Sequence, residues 1–217
     1  MLTITDIQYR QNRIEVTLDS GETLALPLLA SGMFNLGKDR TVDTEEYRQI
    51  REESERFLCR QKALDYLSLK NRTSHEIEKY LLKKRFSVHI IREILAGLCG
   101  AGYVDDLKYA KSFIENRRSN RLVGKNLLKK ELYGKGVPRN TVQKALTDSE
   151  YTEDNIDEVY NLAVKKLAGL GGKKNRLQKV SYFLNQRGFD YEIIQRVIQR
   201  LRNEHILTEE GASDAQG

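Results

Sequence analysis

The chain has little with which to do chemistry. It contains no GxxxxGKS or GxxxxGKT run and no GxGxxG after a strand, and Gly169-Leu170-Gly171-Gly172 falls between two helical segments rather than at a phosphate cradle. Its three histidines, His75, His89 and His205, are scattered without metal-ligand spacing. Its two cysteines, Cys59 and Cys99, have no CxxC geometry, and each falls on an apolar helical face, so buried thiols are expected rather than a disulfide. The paired carboxylates Asp105 and Asp106 stand where a helix begins, and capping with a favourable dipole interaction accounts for them. No nucleophile–base arrangement is legible, so neither catalysis nor a cofactor is expected.

Long apolar runs are missing too. Nothing approaches the roughly 18 uninterrupted apolar residues of a membrane span. The start, MLTITDIQYR, lacks a charged region followed by an apolar run, so no signal peptide is expected. The expectation is a soluble cytoplasmic protein, in which the sequon Asn71-Arg72-Thr73 is chance. No feature asks for self-association, and a monomer is expected.

What is abundant is charge, at 31% of residues, with a formal net of +6. Its distribution is uneven. Residues 1–50 carry 5 Lys/Arg and 8 Asp/Glu, and from Glu204 onward there are 4 acids and no Lys or Arg. Residues 51–203 therefore hold a net of +13. A field of one sign on that scale attracts phosphate backbones or an acidic protein surface, whereas lysine-rich helices also serve simple solubility.

Hydropathy first alternates at period two. Leu2, Ile4 and Ile7, then Ile14, Val16 and Leu18, then Leu24, Leu26 and Leu28 each mark one face of a strand, with a tight turn at Asp19-Ser20-Gly21-Glu22. Three strands are too few to stand alone, so the β-rich extension 1–44 is expected to dock on the helical part of the chain. Residues 31–44 read as a loop or a short connector.

From Glu45 the period becomes helical, and three blocks superpose. Ile77, Leu81, Phe86, Ile90, Ile91, Ile94 and Leu95 match Leu128, Leu132, Val137, Thr141, Val142, Ala145 and Leu146. They match again at Val180, Leu184, Phe189, Ile193, Ile194, Val197 and Ile198, and Thr141 is the one polar residue in the set. Each match comes after a further helix with its own apolar stripe, Cys59/Ala63/Tyr66/Leu67, Leu107/Ala110/Phe113/Ile114 and Ile156/Val159/Tyr160/Ala163/Leu167. The fold expected is mainly α: three tandem three-helix repeats at 45–104, 105–150 and 151–203, forming an elongated curved rod. A small N-terminal antiparallel β unit precedes them, and an acidic, disordered tail is expected at 204–217.

Punctuation fits this division. Thr73 and Glu76 form a capping box. Gly136-Val137 and Gly188-Phe189 suit left-handed helix ends, with Pro138 at N1 and Asp190 at the N-cap of the next helix. Arg85 stands where the other two blocks have glycine, so the first turn is expected either to differ or to cost of order 1 kcal/mol.

Net charge divides as +4, +5 and +4 over 51–104, 105–150 and 151–203, which suits a partner that is itself repetitive. Candidate contacts are Arg117, Arg121, Lys125 and Lys129 at intervals of four, with Arg118, Lys130 and Lys135 beside them. Lys173, Lys174, Arg176 and Lys179 form a second cluster, and Lys83, Lys84 and Arg85 a third. Tyr80, Phe113, Tyr160, Phe183 and Phe189 lie on apolar stripes and are expected in cores, not interleaved with bases as a stacking platform.

The segments DDLKYAKSFIENR (105–117) and GKNLLKKELYGKGV (124–137) resemble the signature of the RecX family. So do ALDYL (63–67), TSHEI (73–77) and KVSYFLNQRGF (179–189), and the likeness covers roughly residues 55–203. Matching pattern positions are Asp105, Asp106, Ala110, Gly124, Leu128, Glu131, Leu132 and Gly136, most of them scaffold residues; Arg85 and the acidic tail depart from it. The resemblance implies a regulator of the RecA recombinase, acting in DNA recombination, repair and the SOS response. Such proteins lodge in the groove of the RecA–DNA filament and restrain ATP hydrolysis, strand exchange and co-protease stimulation. Some members bind DNA themselves, so weak, non-specific contact with single- or double-stranded DNA is implied. A non-specific DNA-binding repeat protein without a dedicated protein partner is the alternative.

Overall fold

The computed structural model describes residues 1–149, 156–171 and 175–213. The alternating N-terminal segment forms a four-stranded antiparallel sheet of β1 (Leu2–Tyr9), β2 (Ile14–Leu18), β3 (Thr23–Leu26) and β4 (Thr41–Val42), in the order β3-β2-β1-β4. The uneven spacing of Leu2, Ile4 and Ile7 has a structural cause. Ile4 faces Leu18 and Ile7 faces Val16, with the register shifting between Ile4 and Asp6, so a bulge absorbs the extra residue. Gly21 takes φ 83 in the β2–β3 turn.

Two features depart from the sequence reading. The third apolar run ends at Leu26, because Pro27 offers no amide to a ladder, and Leu28 is exposed. The segment read as a loop contains β4, which pairs Leu2 with Val42 across the free edge of β1, while a short helix α1 (Ala30–Met33) begins just before it.

Helix α2 (Thr44–Ser68) opens where Asp43 accepts the Glu46 amide at 2.8 Å. It joins the sheet to the first repeat. Tyr47 and Ile50 cover the sheet's apolar face, while Cys59 and Ala63, two turns further on, enter the next core. The sheet thus rests on a helix, as so small a set of short strands requires.

The repeats are α2, α3 (Ser74–Lys83) and α4 (Val88–Gly100); then α5 (Asp106–Asn120), α6 (Lys125–Gly134) and α7 (Arg139–Asp148); then α8 (Ile156–Ala168), α9 (Arg176–Gln186) and α10 (Tyr191–Ser213). Each encloses its own core. Of the 21 superposed positions none is exposed; Phe86, Leu95, Thr141 and Ile193 are half-buried and the rest are buried. Each fully buried Ile or Leu among them contributes about 1.5–3 kcal/mol, so these positions supply most of what holds a repeat together. The chain falls into two compact units, Met1–Asp105 and Asp106–Gly217. Helix α10 continues to Ser213, past position 204 where the sequence reading begins a tail.

The same turn ends the second helix of every repeat. After α6 the Val137 amide donates to Leu132 O at 3.1 Å and the Gly136 amide to Tyr133 O at 2.9 Å. After α9 the Phe189 and Gly188 amides donate likewise to Leu184 and Asn185, and after α3 those of Phe86 and Arg85 donate to Leu81 and Leu82. All three are Schellman motifs with a left-handed residue. Arg85 holds φ 66 beside 77 at Gly136 and 83 at Gly188, so the turn is kept and the backbone strain accepted. Pro138 is the N-cap of α7 rather than its first helical residue, since its ψ of 146 is non-helical.

Candidate functional site

The basic residues singled out from the sequence have three different fates. Arg117, Arg121, Lys125 and Lys129 do not form one stripe, because α5 ends at Asn120 and α6 starts at Lys125. Arg117, though exposed, is held along its own repeat. It makes a paired contact with Glu131, with Nε 2.9 Å from Oε2 and Nη2 2.9 Å from Oε1, and lies 5.3 Å above the Phe113 ring. Lys125 forms an ion pair with Asp190 across the boundary of the second and third repeats. Arg118 donates to the Ser149 carbonyl at 3.3 Å, and Arg176 donates to the Leu167 carbonyl at 3.5 Å.

A second set caps helices and covers rings. Lys84, Lys135 and Arg187 occupy equivalent C-cap positions after α3, α6 and α9. They lie 5.7 Å over Tyr80, 5.8 Å over Tyr109 and 4.9 Å over Phe183 respectively. A cation there meets both the negative end of the helix and the face of a ring. The rings thus meet bases within their own repeats while packing on the cores. Tyr66 and Tyr80 stack at 4.1 Å, and Arg72 covers Tyr66 at 4.0 Å. These rings are half-buried between cations, so they close the repeat rather than offer open faces.

The third set stays open to a partner. Lys83, Arg85, Arg121, Lys129, Lys130 and Lys179 have no ion-pair partner among the described residues, and all but half-buried Lys129 are exposed. Lys173 and Lys174 lie outside the described residues.

Sequence reasoning missed the joint between the second and third repeats. Gly124 is the N-cap of α6 and offers no side chain to cap it. Its amide donates to Arg187 O at 2.8 Å, and the Asn126 amide donates to Gly188 O at 3.1 Å. The orphan amides at the start of α6 thus meet orphan carbonyls at the end of α9, an exchange that satisfies both helix termini. Asn126 Nδ2 adds a bond to Asp190 Oδ1 at 2.6 Å, and Leu122 packs on the third repeat's core. One signal was available. Gly124 occupies the place that the capping residue Thr73 holds in the first repeat, where Thr73 accepts the Glu76 amide at 3.1 Å and Glu76 accepts that of Thr73 at 3.2 Å.

The candidate carboxylates and thiols fit structural duties. Asp106 stands in the first turn of α5. Cys59 is buried, and that burial, aided by the charge of Glu55, pushes its thiol up to about 11. Cys99 is exposed, contrary to the sequence reading: α4 turns Leu98 inward and its neighbour out. No group of His, Cys, Asp and Glu among the described residues is placed to hold a metal ion, and no helix there is long and apolar enough to cross a membrane.

Comparison with known proteins gives one answer along the chain. The models described as the first, second and third three-helix domains of RecX match residues 59–98, 105–146 and 153–198. The regulatory protein RecX of Bacillus pumilus is 31% identical over 206 residues, covering 90% of this chain and 76% of the relative. That of Clostridioides difficile is 28% identical over 205 residues, covering 92% and 96%. A crystal structure of regulatory protein RecX superposes with a TM-score of 0.72 at 25% identity, over 91% of this chain and 98% of the other. The RecX structure from Lactobacillus salivarius gives 0.61 at 28% identity, over 68% and 97%.

Proposed function

Because the chain belongs to the RecX family, we propose that it regulates the RecA recombinase by binding in the groove of the RecA–DNA filament. There it restrains ATP hydrolysis, strand exchange and co-protease stimulation. The observation that carries the reading is the presence of all three family domains, each bringing a near-equal share of positive charge, +4, +5 and +4. Evenly repeated charge matches an evenly repeated partner. Engaging several filament subunits through one chain raises affinity by effective concentration.

The side chains proposed to make contact are those with no ion-pair partner among the described residues: Lys83, Arg85, Arg121, Lys129, Lys130 and Lys179. Arg117 and Lys125 serve the repeats themselves. Blocking results from occupancy: a chain lying in the groove excludes the incoming duplex.

The same open cations suit phosphates, which favours non-specific DNA binding as the second reading. Co-sedimentation with preformed RecA filaments on single-stranded DNA, against bare DNA at matched salt, separates the two. The filament reading expects tighter retention on filaments, falling as salt rises over a few hundred millimolar. Equal retention on bare DNA contradicts it.

A further inference from the structure

Arg187 is over-provided with charge for its place in the fold. Its Nη1 donates to the Leu122 carbonyl at 3.1 Å, and its guanidinium carbon lies 4.9 Å above the Phe183 ring, which fixes both position and plane. The residue next to Leu122 in the chain is Arg121, so a second guanidinium enters the same neighbourhood. Burial first, and repulsion from Arg121 second, pull Arg187 below the ordinary arginine range. No carboxylate accepts from either residue among the described residues. A guanidinium has five N–H donors; Arg187 commits one.

Helix capping accounts for a single cation here, as it does for Lys84 and Lys135 after the equivalent helices. It does not account for a second guanidinium in the same neighbourhood, with no carboxylate accepting from either among the described residues, while Asp190 at this joint is taken by Lys125 and Asn126. Like charges brought together and partly desolvated raise the energy of the free protein, and an anion seated between them removes that cost.

We propose that Arg121 and Arg187, at the joint of the second and third repeats, form a carboxylate-binding site that receives an acidic side chain of a protein partner. The half-buried position of Arg187 favours this over a nucleic-acid phosphate. A carboxylate rides on a flexible stem that can reach a half-buried cation, whereas duplex phosphates meet exposed cations first. The fixed plane leaves an edge of the guanidinium for two parallel bonds, which suits a carboxylate. The site deepens the filament reading and rests on it, for it names protein rather than DNA as what this joint grips.

The test compares wild type with Arg121→Gln and Arg187→Lys, measuring affinity for RecA filaments on single-stranded DNA and for the same DNA bare. Arg187→Lys keeps the charge and loses the fork; Arg121→Gln removes an exposed residue whose side chain has no partner among the described residues. A loss of roughly tenfold or more on filaments is expected in both variants, with an unchanged melting temperature in Arg121→Gln and with bare-DNA affinity kept within about twofold in Arg187→Lys, which retains its charge. Parallel losses on filament and bare DNA in Arg187→Lys would overturn the assignment in favour of phosphate. Unchanged filament affinity in Arg121→Gln would overturn it outright. Failure of wild type to bind filaments at all would instead remove the filament reading on which the site rests.

Discussion

Gly124 and Gly188 meet backbone to backbone. A Cβ on Gly124 would come within 3.0 Å of the Gly188 carbonyl, and one on Gly188 would come within 3.0 Å of the Leu127 amide. The second and third repeats are joined at that contact by main-chain hydrogen bonds, with Lys125 and Asp190 paired beside it.

Gly188→Ala is expected to destabilise the second unit by about 3 kcal/mol or more, because an alanine there adds a clash with main chain to the cost of left-handed φ. Gly21→Ala is the control. Gly21 has the same φ of 83 with nothing within 4 Å, so about 1 kcal/mol is expected. Denaturant unfolding of both variants gives the comparison, and equal losses would mean that the contact does not matter.

Arg85→Gly is expected to stabilise the first unit by roughly 0.5–1 kcal/mol. It removes the left-handed penalty at φ 66 and returns part of the gain as unfolded-chain entropy. Denaturant midpoints measure it. A loss of stability would show that the Arg85 side chain contributes more than its backbone costs.

Cys99 should react with a thiol reagent at pH 8 in the folded protein while Cys59 resists, since Cys59 is buried and ionises only near pH 11. An unfolded thiol ionises near pH 9 and the folded one near 11, so the folded state keeps its proton longer. That contribution to stability is intact below pH 9 and is lost between 9 and 11. Mass spectrometry of labelled protein reads the first effect, and two rapid modifications would contradict it.

Lys129→Gln with Lys130→Gln and Lys179→Gln should weaken filament binding about tenfold or more without moving the melting temperature, because none of the three has an ion-pair partner among the described residues. Arg117→Gln should instead cost stability, by no more than about 1 kcal/mol given the exposure of its pair with Glu131. Calorimetry beside co-sedimentation distinguishes the two classes.

The repeats were legible because seven positions of each recur at near-constant spacing and all of them face a core, since burial depends on that spacing. The sheet was legible where strands alternate. β4 and α1 were not, since elements of two and four residues carry no period. The candidate contacts were legible as charge but not as geometry. Arg117 finds Glu131 fourteen positions away and Lys125 finds Asp190 sixty-five away, and composition cannot distinguish a paired lysine from an open one. Arg187 was hidden for the same reason. In the sequence it is one base beside a helix-ending glycine, and only the fold brings it to the Leu122 carbonyl.

The most direct measurement is the steady-state ATPase rate of RecA on single-stranded DNA with this protein added below one copy per RecA. The account predicts a clear fall in rate, lessened by the Lys129/Lys130/Lys179 substitutions. An unchanged rate, with binding to bare DNA retained, would contradict it.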